Sequence, residues 1–333
     1  MALTLVVERL VPPVLLIHGG AGAYLQTTTR EHRIRRGKKL AAIVEKAHRQ
    51  FAEAGVREAV LDAVAALEAD PSFNAGYGAR LQQDGVARVS AAIMDGSALR
   101  LSAVYNVRDC VHPSRLAAAL QDRADRNLDG EGARALMDEL GIAPRDLRSP
   151  ESIARWEKLR ASGDRADREA AIGDDSVEKA RAAELPVPED LRALVGDEDR
   201  HGTVGAVGCD ASGAIWACTS TGGRGHEVVG RVSDTPTPAG TYACSVVGLS
   251  ATGFGEQIID LNVCGRIAAR MLDGVSLEQA LRRTFEEVAN ASGLLAVIAV
   301  GADGTAGYAH TTEACGVAWI DARGRVELDR NSY

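Results

Sequence analysis

Gly202-Thr203-Val204-Gly205-Ala206-Val207 is the stretch on which the reading of this chain turns. Before it, from about residue 157 to residue 202, the sequence is rich in Arg, Asp, Glu and Ala and poor in large apolar side chains. Such a composition buries too little surface to offset its ordering entropy, so it reads as a mobile, solvated linker with short helical pieces. After it, small and β-branched residues run on as a buried strand. An intact chain has no need of so sharp a boundary, whereas an N-terminal nucleophile does. Cleavage of the Gly202–Thr203 bond would leave Thr203 with a free α-amine beside its own hydroxyl. That amine titrates near 7.7–8.0 in model peptides (about neutral), so it can serve as general base to the hydroxyl. Gly202, without a Cβ, tolerates the distorted backbone that attack on its carbonyl requires. The Thr203 methyl group restricts χ1 and helps to hold the hydroxyl in place.

Outward from this point the chain reads as alternating pairs of helices and strands. Residues 14–17 form an apolar run that stops at a glycine loop, His18-Gly19-Gly20-Ala21-Gly22-Ala23. Helical spacing follows over 40–51 and 59–67, and turn chemistry over 73–78. Strands are predicted at 86–94 and 100–107, and helices at 115–120 and 132–140. Beyond Thr203 the pattern predicts strands at 203–208, 214–219 and 241–250, helices at 255–273 and 276–289, and strands at 294–300 and 315–321. Alternation of this kind in both halves predicts an α+β fold in which helices cover two stacked sheets.

The net charge of −8 disfavours a nucleic-acid backbone as partner. No run approaches the ~18 apolar residues of a membrane helix. Glu8 and Arg9 interrupt the first apolar stretch, and no basic region precedes it, so a cytoplasmic protein is expected. The six cysteines form no CxxC pair and no spacing with His that suits zinc, and they read as small buried side chains. The glycines at 19, 20 and 22 lack the GxGxxG spacing of a dinucleotide loop, and no organic cofactor is expected.

Several segments resemble the plant-type (type III) asparaginases and isoaspartyl peptidases, a family of N-terminal-nucleophile hydrolases. They are Ile17-His18-Gly19-Gly20-Ala21-Gly22-Ala23, Phe73-Asn74-Ala75-Gly76-Tyr77-Gly78, Met94-Asp95-Gly96, Gly202-Thr203-Val204-Gly205-Ala206-Val207, Thr219-Ser220-Thr221-Gly222-Gly223, Gly230-Arg231-Val232-Ser233-Asp234 and Ala251-Thr252-Gly253-Phe254-Gly255-Glu256. Gly130-Glu131-Gly132-Ala133 also resembles a family segment. Order and spacing agree over nearly the whole chain.

The resemblance implies a four-layer αββα sandwich, cut by its own chemistry into a large α subunit, 1–202, and a small β subunit, 203–333. It implies hydrolysis of L-asparagine or of β-aspartyl dipeptides, and a dimer of αβ units. Thr203 would be the nucleophile, and Thr221 would orient its hydroxyl or relay a proton. Arg231 would grip the substrate α-carboxylate with its guanidinium fork, and Asp234 would pair with the α-ammonium. Thr252 and Gly253 would form the oxyanion hole, Gly255 would allow close approach of the substrate, and Asn74 would point towards the nucleophile. A structural sodium ion would sit among the backbone carbonyls of Leu67, Glu68, Asp70, Phe73, Ala75 and Tyr77. The chain departs from the family pattern at Ser233, at Phe254, over 102–107, and over Arg224-Gly225-His226-Glu227-Val228-Val229, where Asn-Lys-x-Pro is usual. These departures leave the leaving group open; a glycosylasparaginase-like hydrolase is the alternative within the family, and retention of Thr203, Thr221, Arg231, Asp234 and Thr252 argues against a non-catalytic binding protein of the same fold.

Overall fold

The computed structural model describes residues 3–22, 30–161 and 202–329. Two sheets form its centre. The larger has the strand order β13-β12-β2-β6-β7-β3-β4-β5, the smaller β1-β11-β10-β9-β8. In the larger sheet β2 is Val14–Gly22, β3 Val89–Asp95, β4 Arg100–Val107, β5 Asn127–Leu128, β6 Val204–Cys209, β7 Ile215–Thr221, β12 Ala314–Ile320 and β13 Val326–Leu328. In the smaller, β1 is Thr4–Arg9, β8 Thr241–Ala243, β9 Val247–Gly253, β10 Leu295–Gly301 and β11 Thr305–His310. Neighbouring strands are antiparallel except β4 and β5, which are parallel.

Three apolar clusters hold these elements together. Helices α1 (Arg30–His48) and α3 (Gly55–Ala69) cover the outer face of the larger sheet through Leu40, Val60, Leu67, Ile17, Val204 and Ala206. Helices α8 (Val263–Leu272) and α9 (Leu277–Asn290) cover the smaller sheet through Ile267, Leu281, Phe285, Leu249 and Val297. The third cluster lies between the sheets and includes Leu16, Val207, Ala217 and Ile298. Strands buried on both faces need apolar side chains at every position, which explains the unbroken run Leu295–Gly301. Helix α9 has the opposite pattern: Leu277, Ala280, Leu281, Thr284, Phe285 and Val288 share its buried face. The Ser276 side chain accepts from the Gln279 N–H to cap it.

The period of two along each strand positions the site. On β6, Val204 and Ala206 join the helix-side cluster while Val207 and Cys209 join the one between the sheets. On β7, Cys218 faces the helices and Ile215 and Ala217 face the second sheet. By that parity Thr203 and Thr221 point between the sheets. Val204 pairs with Ser220, so the two threonines are opposite one another at the ends of their strands. On β9, Val247, Leu249 and Ala251 face the helices, which turns Ser250 and Thr252 the same way as the threonines of the larger sheet.

Some sequence expectations need correction. The strand at 14–17 does not stop at His18 but runs to Gly22, held by β12 through Ala21 opposite Cys315 and Gly22 opposite Ala314. The stretch 241–250 is a hairpin of β8 and β9, closed by Cys244 N–H donating to the Val247 carbonyl. The helix expected at 255–273 divides into α7 (Gly255–Asp260) and α8, because Asn262 takes a left-handed φ of 46°. Of the expected linker, residues 157–161 instead finish α6 (Pro150–Ala161), whose Trp156 packs on the core cluster beneath it. Residues 162–201 and Ala23 lie outside the described residues. All six cysteines are buried. Among the described residues no helix is long and apolar enough to cross a membrane.

Candidate active site

Thr203 stands at the head of β6, 6% exposed, and its hydroxyl donates to Thr221 Oγ1 at 3.1 Å. Thr221 Oγ1 also accepts from the Gly223 N–H at 3.2 Å. A donor on the second threonine's oxygen leaves its own proton available for another acceptor. The Thr252 hydroxyl comes in from the opposite sheet, donates to the Thr203 carbonyl at 3.4 Å and accepts from the Ala21 N–H at 3.3 Å. Three hydroxyls from β6, β7 and β9 thus meet where the two sheets end.

Glycine makes the close approach possible. A Cβ on Gly20, whose φ is +107°, would stand 2.7 Å from both the nitrogen and the oxygen of Gly202, so the residue before Thr203 rests on bare backbone. A Cβ on Gly205 would collide with Ser250 Oγ and stand 2.5 Å from His18 Nε2. In the space it leaves, His18 Nε2 contacts Ser250 Oγ at 2.8 Å, and Ser250 contacts Thr219 Oγ1 at 2.7 Å. This chain ties β2, β9 and β7 together directly behind Thr203. Burial lowers the His18 pKa to about 3, and the Thr203 main chain facing the ring offsets only part of that, so the imidazole is neutral.

A second group of side chains gathers at Gly255. A Cβ there would stand 2.8 Å from Arg231 Nη2 and 2.8 Å from Asp234 Oδ1. Asp234 is buried, and its Oδ2 has no hydrogen-bond partner. Desolvation pushes its carboxyl up to about 7, against the opposing field of Arg231. Its Oδ2 is thus left to accept from a further donor, such as an ammonium group. The Arg231 fork is engaged by Glu256 in a bidentate pair, Nε to Oε1 at 2.8 Å and Nη2 to Oε2 at 2.9 Å. Glu256 follows Gly255 directly in the segment Ala251–Glu256, and nothing local in the sequence marks it as a partner of Arg231. Any carboxylate arriving at Arg231 must share the guanidinium with Glu256 or displace it.

Asn74 lies close to the threonines but spends its amide on the main chain. Its Nδ2 donates to the Gly223 carbonyl at 2.6 Å, and its Oδ1 accepts from the Arg80 N–H at 3.0 Å. It therefore fixes the loop that follows Thr221. Gly253, at the end of β9, has φ +135° and its Cα turned against the Leu294 carbonyl and Leu295, where a Cβ would come within 2.5 Å. The loop 67–78 brings carbonyls together around its glycines: Glu68 O and Val111 O against Gly76, Phe73 O and Pro71 O against Gly78. The carbonyls of Leu67, Asp70, Phe73 and Ala75 each accept one backbone N–H, from Asp70, Phe73, Ala75 and Gly78 in turn. The Glu68 carboxylate accepts from the Ser114 N–H and hydroxyl. Among the described residues no group of three or more His, Cys, Asp or Glu side chains is arranged to hold a metal ion.

Residues 11–328 match the family described as asparaginase. The isoaspartyl peptidase/L-asparaginase of Nostoc sp. is 35% identical over 91% of this chain and 90% of its own. That of Synechocystis sp. is 36% identical over 90% of this chain and 85% of its own. The plant-type L-asparaginase of Thermococcus kodakarensis is 32% identical over 90% of this chain and 93% of its own. The matched span takes in every strand of both sheets except β1, the three threonines and the Arg231–Asp234 pair, and the chain belongs to the asparaginase family.

Proposed function

We propose that this protein is a threonine amidohydrolase that releases the side-chain amide of L-asparagine and cleaves β-aspartyl dipeptides. The observation that carries the reading is the contact of Thr203 with Thr221 at 3.1 Å, beneath Thr252, in a fold whose relatives bear those activities in their names. The substrate head group lies at Gly255, its α-carboxylate on Arg231 and its α-ammonium on Asp234. Its side-chain carbonyl then faces Thr203. The Thr203 α-amine takes the proton from the Thr203 hydroxyl as the oxygen attacks, while Thr221 holds that hydroxyl in line. Thr252 Oγ1 and the Gly253 N–H stabilise the charge that develops on the carbonyl oxygen. Collapse gives a β-aspartyl ester on Thr203, and the leaving amine departs with the proton held by the α-ammonium. Water then hydrolyses the ester by the same route in reverse.

The free α-amine has to be made. The Thr203 hydroxyl attacks the Gly202 carbonyl, the acyl group passes from nitrogen to oxygen, and water releases residues 1–202 from residues 203–333. The two sheets with their covering helices form the four-layer αββα sandwich of N-terminal-nucleophile hydrolases, one structural unit built from both subunits. Two such units associate as a dimer. The loop 67–78 offers neutral oxygen donors, each with a second lone pair, which suits a singly charged hard cation such as sodium. The carbonyls of Leu67, Glu68, Asp70, Phe73, Ala75 and Tyr77 would hold it, and it would brace the loop that carries Asn74. The test is an assay of the purified protein on L-asparagine and β-Asp-Leu; failure to turn over either would refute this function.

A further inference from the structure

The segment Arg224-Gly225-His226-Glu227-Val228-Val229, which departs from the family pattern, follows directly on the loop from Thr221. Its main chain is firmly held. The Arg224 N–H donates to Glu227 Oε1 at 3.2 Å, and the Arg224 carbonyl accepts from Arg80 Nη1 at 3.0 Å. The His226 N–H donates to the Leu81 carbonyl, and the Gln83 N–H to the Glu227 carbonyl. The Arg224 side chain then crosses from the end of β7 to the end of β9, where its guanidinium lies 5.6 Å from the centre of the Phe254 ring. Among the described residues it has no ion-pair or hydrogen-bond partner, and its Nε is buried without one. Glu256 lies within its electrostatic reach but spends both oxygens on Arg231.

A guanidinium held over an aromatic face, with its fork unused, is a ready receptor for a carboxylate. The head-group carboxylate already has Arg231. A β-aspartyl dipeptide carries a second one, two bonds beyond the scissile nitrogen, on the amino acid that leaves. Arg224 follows Thr221, Gly222 and Gly223 directly in the chain, so its main chain starts beside the threonine pair at which the scissile bond would lie. We propose that the Arg224 guanidinium binds the free α-carboxylate of the leaving amino acid and so favours β-aspartyl dipeptides over L-asparagine. The inference rests on the amidohydrolase reading above and names the leaving group that reading left open.

The test uses full-length protein and three substrates: β-Asp-Leu, its C-terminal amide β-Asp-Leu-NH2, and L-asparagine. In Arg224→Ala, kcat/KM for β-Asp-Leu should fall about tenfold relative to both of the others, because only β-Asp-Leu offers a charged partner. Arg224→Lys, which keeps the charge and loses the fork, should recover part of the difference. An equal loss on all three substrates would assign Arg224 to the head group or to folding and overturn the proposal, as would no change on any. Wild-type protein that turns over none of the three would instead sink the amidohydrolase reading, and this inference with it.

Discussion

Asp234→Asn should stabilise the protein at alkaline pH while disabling it. The substitution keeps the shape of a buried side chain and removes its charge. Folding raises the Asp234 carboxyl from 3.8 to about 7, chiefly through desolvation. Below pH 3.8 the group is protonated in folded and unfolded chains alike and has no effect on stability. Between that pH and about 7 the unfolded chain gives up a proton that the fold retains, and above 7 the whole difference opposes folding, by roughly 4 kcal/mol. Asparagine escapes this but leaves its amide where Oδ2 now lacks a partner, at a cost of about 1–3 kcal/mol. That cost does not depend on pH, so the comparison to make is the stability of variant minus wild type at two pH values. The difference should be about 2–3 kcal/mol more favourable at roughly pH 8.5 than at roughly pH 5. Denaturant unfolding of both proteins at both pH values measures it. At the same time kcat/KM for L-asparagine should fall at least about 100-fold, because the substrate ammonium loses its counter-charge. A variant-minus-wild-type difference that stays constant across that range would refute the account of Asp234.

Arg231→Lys should leave chain cleavage intact and raise KM for L-asparagine at least about tenfold, since lysine keeps the charge without the fork; steady-state kinetics at saturating substrate separate KM from kcat. Activity should decline below about pH 7 as the Thr203 α-amine becomes protonated and Asp234 neutral, and a profile of kcat/KM that stays level down to pH 4 would contradict both assignments. Gly20→Ala should abolish cleavage on denaturing gels, because its Cβ would fall 2.7 Å from the Gly202 nitrogen and oxygen and its φ of +107° disfavours any side chain; normal processing would remove Gly20 from the site.

Alternation along the strands placed the ends of β6 and β7, whereas the roles expected of Thr221, Arg231, Asp234, Thr252 and Gly253 came from the family segments and not from periodicity. Once β6 and β7 pair about the Asp210 turn, Thr203 and Thr221 must face each other, and the sequence alone carries that register. What it does not carry is which sheet meets which. The chain His18–Ser250–Thr219 joins residues far apart in sequence, and nothing local in a lone histidine or serine announces it. Glu256 escaped for a similar reason, since its bidentate pairing with Arg231 arises only when the end of β9 folds onto the loop 230–234. The strands β1 and β11 do not stand out because Thr4–Arg9 is only half-buried at a sheet edge and Thr305–His310 mixes Thr, Ala and Gly with Tyr308 and His310, so neither shows a strong apolar period. The glycines at 19, 20 and 22 misled in the other direction. They read as a loop, yet pairing with β12 extends β2 to Gly22, and Gly19 and Gly20 are glycines because the Phe73 ring and Gly202 fill the room that side chains would need.

The central claim is that Thr203 acts as a newly made amino terminus. Intact mass and N-terminal sequencing of the purified, active protein test it directly. The account expects two fragments, the smaller beginning Thr203-Val204-Gly205-Ala206-Val207, and a single inactive 333-residue chain for Thr203→Ala, because one hydroxyl serves both the cleavage and the hydrolysis. Full activity in an uncut chain, or cleavage of Thr203→Ala at the same bond, would contradict it.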